Sequence, residues 1–160
     1  NNKNMKKKYF KFTRPYVFVP MCADYLHHGH INILQKASRY GNVIVGLMSD
    51  KAITTYKANK SFLNFNNRKK IVQSIKYVKS VLTLKRLDFI TATKKYKFDY
   101  VLHGDDWKKG PQAPQRKGLI EIMKNWKGKV IDVKYTKNIS STIIRKKIKN
   151  ERSYRKNLRS

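Results

Sequence analysis

The sequence predicts an α/β domain built on a doubly wound, five-stranded parallel sheet in the order 3-2-1-4-5. Three observations predict it. Short apolar runs of strand length alternate with segments of helical periodicity, and Gly, Asn, Asp or Pro punctuates the boundaries. The 160 residues suffice for one substantial core and are too few for two. Strands alternating with helices call for a parallel sheet covered on both faces, and right-handed crossovers leave few orders open.

The first strand is Tyr16 to Met21 (YVFVPM), a short run rich in β-formers. A helix follows from about Gly29 to Tyr40, with Ile31, Leu34 and Ala37 on one face and Gly41 as its stop. Val43 to Met48 (VIVGLM) is the second strand. Asp50 can cap a short helix reaching about Lys57, and Asn66 or Asn67 can cap the next, where Ile71, Ile75 and Val78 recur at helical spacing. The third strand is Val81 to Leu84, a short helix spans about Phe89 to Tyr96, and Tyr100 to His103 is the fourth strand. Leu119, Ile122, Met123 and Trp126 mark a longer amphipathic helix ended by Gly128. Val130 to Val133 gives the fifth strand, and a final helix begins near Ser140.

Such a Rossmann-like order carries a functional expectation. Ligands bind at the carboxyl ends of the strands where the winding reverses, here between the first and fourth strands. The loops at that point are Cys22 to Gly29 and Gly104 to Gly110, and they hold the least ordinary chemistry in the chain.

Composition sets outer limits. No apolar run approaches the roughly 20 residues needed to cross a bilayer. The basic N-terminus is not followed by an apolar segment and cleavage site, so no secretory signal is read. Cys22 is the one cysteine, which excludes an internal disulfide or a cysteine-based zinc cluster and points to a cytoplasmic setting. The formal net charge of +29 suggests nucleic acid at first sight. Yet the excess is spread along the whole chain, and Lys, Asn, Ile and Tyr are abundant together, as biased coding produces. The expected organisation is a basic N-terminal extension over 1–14, a catalytic domain over 15–150, and a basic extension or linker over 151–160. The segment Asn1 to Asn4 reads as linker or frayed end, and the chain reads as compatible with one domain of a larger protein.

Three of the four histidines fall at His27, His28 and His30. With a helix starting near Gly29, His27 and His30 sit at its N-terminus, where free N–H groups and the helix dipole favour phosphate. Gly29 allows close approach of phosphate to backbone. Two imidazoles there can donate hydrogen bonds to a phosphorus centre undergoing substitution. A zinc site is the other reading, and it lacks nearby Cys or Glu. In His103-Gly104-Asp105-Asp106-Trp107, Asp105 can take hydrogen bonds from a nucleotide or help place a divalent ion, and Trp107 can pack on a ligand. The same residues also suit an ordinary strand-end turn. Ile139-Ser140-Ser141-Thr142 presents hydroxyls at a helix start, as caps or as partners of terminal phosphates. Lys57 and Arg68 are further candidates among the 38 basic residues.

His27-His28-Gly29-His30 resembles the HxGH signature of the nucleotidyltransferase superfamily. Ile139 to Thr142 is similar to the second signature of its cytidylyltransferases, approximately RTEGIST. Asn67-Arg68-Lys69-Lys70 and the Gly104 to Trp107 turn look like glycerol-3-phosphate cytidylyltransferases. Met21-Cys22-Ala23-Asp24, His103 to Trp107 and Tyr135-Thr136-Lys137-Asn138 before Ile139 are similar to nucleotidyltransferase domains attached to phosphoenolpyruvate mutases in phosphonate pathways. The resemblance runs from about Tyr16 to Ile148.

The resemblance implies transfer of CMP from CTP, with Mg2+, to a small phosphonate or phosphoalcohol, releasing pyrophosphate. It implies catalytic roles for His27, His30, Lys57, Ser140 and Thr142. His27 and His30 would stabilise the transition state at the α-phosphate, Lys57 would hold phosphate, and Ser140, Ser141 and Thr142 would close over the β- and γ-phosphates. Met21, Cys22, Ala23, Gly29, Arg68, His103, Gly104, Asp105, Trp107 and Ile139 would join Ser141 in holding the nucleotide. No resident metal site is assigned, and relatives are commonly dimers. The sequence departs from the family at Tyr135, where Arg is usual, at Lys137 in place of Glu, and at Asn138 in place of Gly. Met21 and Ala23 stand where small and aromatic residues are common. A phosphocholine- or glycerol-3-phosphate-type cytidylyltransferase and an adenylyltransferase remain alternatives, because HxGH does not choose the base. A non-catalytic nucleic-acid module on the same fold would have no need of the histidines and hydroxyls, and both sets are present.

Overall fold

The computed structural model describes residues 8–57 and 59–157. The elements run β1 (Tyr16–Met21), α1 (His28–Ser38), β2 (Asn42–Met48), α2 (Asp50–Lys57), α3 (Phe65–Gln73), β3 (Val78–Leu84), α4 (Phe89–Tyr96), β4 (Tyr100–Gly104), α5 (Ala113–Met123), β5 (Lys129–Val133) and α6 (Ser141–Asn157). All strand pairs are parallel and the order is β3-β2-β1-β4-β5, as the alternating pattern predicts. The strand β1 pairs on one side with β2 and on the other with β4, so the winding reverses at β1.

Side chains alternate across the strands and divide the core into two layers. Tyr16 and Phe18 of β1 with Ile44 and Met48 of β2 face Ala52 and Ile53 of α2, Phe89 of α4 and Leu119 and Met123 of α5. Val17, Val19, Val43, Val45 and Leu47 face Leu34 and Ala37 of α1 and Val72 of α3. Gly46 interrupts β2 for a packing reason: a Cβ there would collide with the Phe18 ring, which stacks on Phe98 at 4.4 Å. Among the described residues no helix is long and apolar enough to cross a membrane.

Several boundaries differ from the sequence expectation. The helix α1 ends at Ser38, with Arg39 as its C-cap, two residues before Tyr40. The cap of α3 is Asn64, whose side chain accepts from the Asn67 N–H at 3.0 Å, and neither Asn66 nor Asn67 fills that position. The strand β3 starts at Val78, three residues early, because pairing with Val43 begins there. The longer helix ends at Met123 and Trp126 closes a following 3-10 turn. Asn1 to Asn4 lie outside the described residues. Within the stretch expected as a basic extension, Tyr9, Phe10 and Phe12 pack against the first core layer. Arg14 donates to the Lys97 and Tyr96 carbonyls and pairs with Asp99 at 3.0 Å, and Asp99 also accepts from the Tyr16 N–H. Residues 8–14 are therefore part of the packed domain. At the other end α6 continues to Asn157, through most of the expected linker.

Candidate active site

A cleft of about 250 Å³ opens at the carboxyl ends of β1 and β4. The loop after β1, the N-terminus of α1, the end of α2, the turn after β4 and the N-terminus of α6 form its walls. The topology dictates this place, since neighbouring connections leave β1 on opposite faces of the sheet there.

His27 is the N-cap of α1, in extended backbone, and its Nδ1 accepts the Gly29 N–H at 3.1 Å. The His30 Nδ1 in turn accepts the His27 N–H at 3.2 Å, which completes a reciprocal capping box with imidazoles in place of hydroxyl and carboxylate. Occupation of both Nδ1 lone pairs fixes the tautomer: each neutral ring carries its proton on Nε2. The rings lie 4.2 Å apart between centroids. Burial holds His30 down to about pKa 4, reinforced by the charges of His27 and Lys57, and burial followed by the charge of His28 lowers His27. At neutral pH the pair is two neutral donors. Gly29 is buried beneath them, and a Cβ there would meet the His27 Cε1 at 2.8 Å and Nδ1 at 2.9 Å.

The loop between β1 and α1 is held from below. Ala23 and Tyr25 both adopt left-handed backbone, at φ 52° and 68°, which non-glycine residues accept only when their surroundings enforce it. Arg68, fully buried, donates Nη1 hydrogen bonds of 2.7 Å to the Cys22 and Met48 carbonyls. Its Nε binds the Leu63 carbonyl and its Nη2 pairs with Asp50 at 2.7 Å. Asp24, also buried, accepts from the Phe62 and Leu63 N–H groups. Arg68 thus shapes the loop and does not line the cleft, because all of its donors that reach a partner point into protein. The sequence expectation that it touches nucleotide is corrected accordingly.

The turn after β4 divides its residues differently from expectation. His103 and Gly104 line the cleft, whereas Trp107 is buried and Asp105 does not line it. The Trp107 indole stacks on His103, 4.3 Å between centroids and 7° from parallel, and donates to Asp132 at 2.6 Å. A bidentate hydrogen-bonded pair with Arg116 holds the Asp132 carboxyl down to about pKa 2. Trp107 therefore backs the cleft wall and cannot pack on a ligand within it. The Asp105 Oδ1 accepts the Tyr135 N–H at 3.1 Å, tying this turn to the segment before α6. Asp106, which the motif reading left unassigned, reaches the cleft instead.

The remaining expected residues converge. Met21, Cys22 and Ala23 line the floor, Lys57 the side, and Ile139, Ser140, Ser141 and Thr142 the far wall. The Ser140 Oγ accepts the Ile143 N–H at 3.1 Å, a capping role, and Ser141 and Thr142, the first residues of α6, line the cleft beside it. Asn138 sits at φ 64°, the left-handed position for which Asn substitutes for Gly most readily. Cys22 is a half-buried thiol with its pKa raised by desolvation, 3.5 Å from the Met48 sulfur. Motif reading did not bring forward Tyr56, Phe89 or Gln112, which also line the cleft. Only their placement on elements ending at the same sheet edge could have marked them. The chemistry on offer is a set of N–H donors and two helix N-termini converging on one volume, with a lysine beside them. Such a set binds phosphates and stabilises charge moving between phosphate oxygens.

Comparison with known proteins adds an independent finding. The family model described as Cytidylyltransferase-like matches residues 18–147. The chain is 30% identical over 129 residues to a glycerol-3-phosphate cytidylyltransferase of Staphylococcus aureus, covering 78% of this chain and 88% of that protein. It is 29% identical over 134 residues to an ethanolamine-phosphate cytidylyltransferase of Arabidopsis thaliana, covering 80% of this chain and 31% of that protein. In fold it is similar to a lipopolysaccharide core biosynthesis protein from Thermoplasma volcanium, with a TM-score of 0.63 at 19% identity, covering 76% and 97% of the two chains.

Proposed function

The chain belongs to the cytidylyltransferase-like family and is a nucleotidyltransferase, and from that premise we propose that it transfers CMP from CTP to a small phosphoalcohol or phosphonate, releasing pyrophosphate. The observation that carries the reading is the pair of neutral imidazoles capping α1, with both Nε2 protons free to donate.

In this reading an ionised phosphoryl oxygen of the acceptor attacks the α-phosphorus of CTP. A new P–O bond forms, the bond between the α-phosphorus and the bridging oxygen breaks, and pyrophosphate leaves with that electron pair. No proton has to be removed from the nucleophile, so the site needs donors and cations in place of a general base. His27 and His30 meet that need, because their basic nitrogens are already occupied by backbone N–H groups. They donate to the α-phosphate oxygens, whose charge is redistributed in the transition state. The N-terminus of α6, with Ser141 and Thr142, holds the terminal phosphates, and Lys57 offsets the repulsion between the two anions. Magnesium enters as the CTP complex. In this proposal the ion is held by the phosphates and by water.

The test is pyrophosphate release in the presence of magnesium from CTP, ATP, GTP and UTP. Each is paired with glycerol-3-phosphate, phosphoethanolamine, phosphocholine and 2-aminoethylphosphonate. CTP-dependent release with at least one acceptor, lost in His27→Asn and His30→Asn variants that remain folded, is the expected result. Release that prefers ATP, or variants that retain full turnover, would overturn it.

A further inference from the structure

We infer that the groove between α6 and residues 59–62 binds single-stranded nucleic acid, a function separate from the CMP-transfer reading above. The groove measures about 190 Å³ and shares no lining residue with the cleft at the ends of β1 and β4. Two features meet in it, an aromatic platform and a cationic stripe.

The platform is the Tyr25 and Phe62 pair, stacked at 5.3 Å between centroids and 25° from parallel. Phe62 is 60% exposed, yet its backbone is fixed, because the buried Asp24 carboxylate accepts its N–H at 2.9 Å. A large ring held rigidly in water is preorganised to receive a planar partner. The Arg145 guanidinium lies over the Tyr25 ring at 5.4 Å and pairs with Asp24 at 3.8 Å, which ties α6 to the platform. The stripe runs along α6, none of whose 17 residues is buried. Arg145, Lys149, Arg152 and Lys156 recur at spacings of three and four on one face, over about 16 Å. Like charges at that spacing destabilise a helix, and a polyanion laid along them removes the repulsion. Lys60 adds a further cation to the groove. Among the described residues Lys60, Lys149 and Arg152 have no ion-pair partner, and no carboxylate lines the groove.

Cations beside an exposed aromatic ring match the two parts of a single strand, with phosphates along the stripe and an unstacked base on Phe62. A duplex keeps its bases inside and offers the ring nothing. A lipid surface needs a continuous apolar helix face, and from residue 149 onward Tyr154 is the only apolar side chain of α6. A second copy of this chain would bring the same sign of charge to the groove and be repelled.

The experiment titrates the full chain into a fluorescein-labelled oligouridine of about 20 nucleotides and follows anisotropy between about 50 and 200 mM salt, with a duplex of equal length alongside. Phe62→Ala is expected to weaken single-strand binding about tenfold and duplex binding by less than about twofold, because stacking is lost and charge is not. Lys149→Gln combined with Arg152→Gln is expected to lower the slope of log affinity against log salt by about 1.4, the share of two single-strand phosphate contacts. Lys94→Gln combined with Lys117→Gln removes the same charge from exposed positions on α4 and α5 and is expected to leave that slope unchanged. All variants, shown to be folded by circular dichroism, are expected to release pyrophosphate at the native rate. Equal losses from the groove pair and the control pair, or native single-strand affinity in Phe62→Ala, would overturn the inference and leave the CMP-transfer reading standing. So would tighter binding to phosphatidylserine vesicles than to the oligonucleotide with the same dependence on Phe62, which would make the groove a lipid site.

Discussion

Acidification should destabilise this protein in a window set by His30, and the His30→Asn variant should lose that part of the response. In the folded chain His30 titrates at about 4 against 6.5 for an unperturbed imidazole, because burial and the charges of His27 and Lys57 oppose protonation. Its folded pKa is depressed, so the unfolded chain binds the proton more readily. The stabilisation is fully present above pH 6.5 and is lost as pH falls toward 4. Between pH 7.5 and pH 5 the two titration curves separate by about 1.5 log units, or about 2 kcal/mol. His27 and His103, both lowered with burial as the first cause, add losses of the same sign over the same window. The carboxylates act elsewhere. Asp50 and Asp88 lie below 3.8 despite burial, through hydrogen bonds from Arg68 and Thr91, and Asp132 is near 2, so their contributions fade only in stronger acid. The assay is urea unfolding at pH 7.5, 6.5, 5.5 and 5.0, followed by circular dichroism. The midpoint of the native protein should drop by about 1 M or more over that range, given a typical urea slope of 1–3 kcal/mol per M for a small domain. Asn at position 30 keeps an oxygen where Nδ1 accepts the His27 N–H, so the capping box survives without the titration. The variant should therefore lose less stability than the native protein between pH 7.5 and 5, by about 2 kcal/mol. Equal pH slopes in the two proteins would refute the reasoning.

Gly29→Ala should separate activity from stability. Displacing the His27 ring costs its cap bond, about 1 kcal/mol, while Ala regains about 1 kcal/mol of helix propensity, so thermal melting should stay nearly unchanged. Turnover in the pyrophosphate assay should nevertheless fall by about two orders of magnitude, the cost typical of losing one preorganised donor. Full turnover would show that the His27 position is not critical. Arg68→Met should cost about 2 kcal/mol or more, chiefly from the buried Met48 carbonyl and the part-buried Cys22 and Leu63 carbonyls left without this donor, since Asp50 is half exposed and its charge is screened. A melting temperature unchanged from the native protein would show that the loop does not depend on this side chain.

The sheet order was legible because it follows from rules that act on whole elements: apolar runs of strand length, helical spacing between them and right-handed crossovers. Side-chain direction was not legible to the same degree, and Arg68 shows why. The apolar stripe Ile71, Ile75 and Val78 suggests one buried face, but α3 stops at Gln73, so Ile75 and Val78 never belong to it. With those two removed, the face that packs is Arg68 and Val72, four residues apart, and Ile71 is 42% exposed. An arginine on a buried face contradicts composition rules, and only the cluster of carbonyls around it makes the placement stable. Composition cannot show where those carbonyls will be.

The turn after β4 makes the same point at the site itself. Residues 105–108 form a 3-10 turn, in which successive side chains point about 120° apart. Three adjacent residues therefore take three destinations: Asp105 bonds the Tyr135 backbone, Asp106 faces the cleft, and Trp107 turns into the core against Asp132. A motif names all three together, and the fold assigns each a separate task. The capping box of α1 behaves differently, because its members lie three residues apart on one helix end and must face each other. That constraint is local, and it is why His27 and His30 could be placed from sequence while Arg68, Asp105 and Trp107 could not. The loop feeding that helix end is held by Arg68 and Asp24, two buried charges that touch neither histidine by any hydrogen bond described. The positions of the proposed catalytic imidazoles thus depend on residues that reach them only through a loop with two left-handed non-glycine residues. For this reason Arg68→Met should impair turnover at temperatures where the variant is still folded.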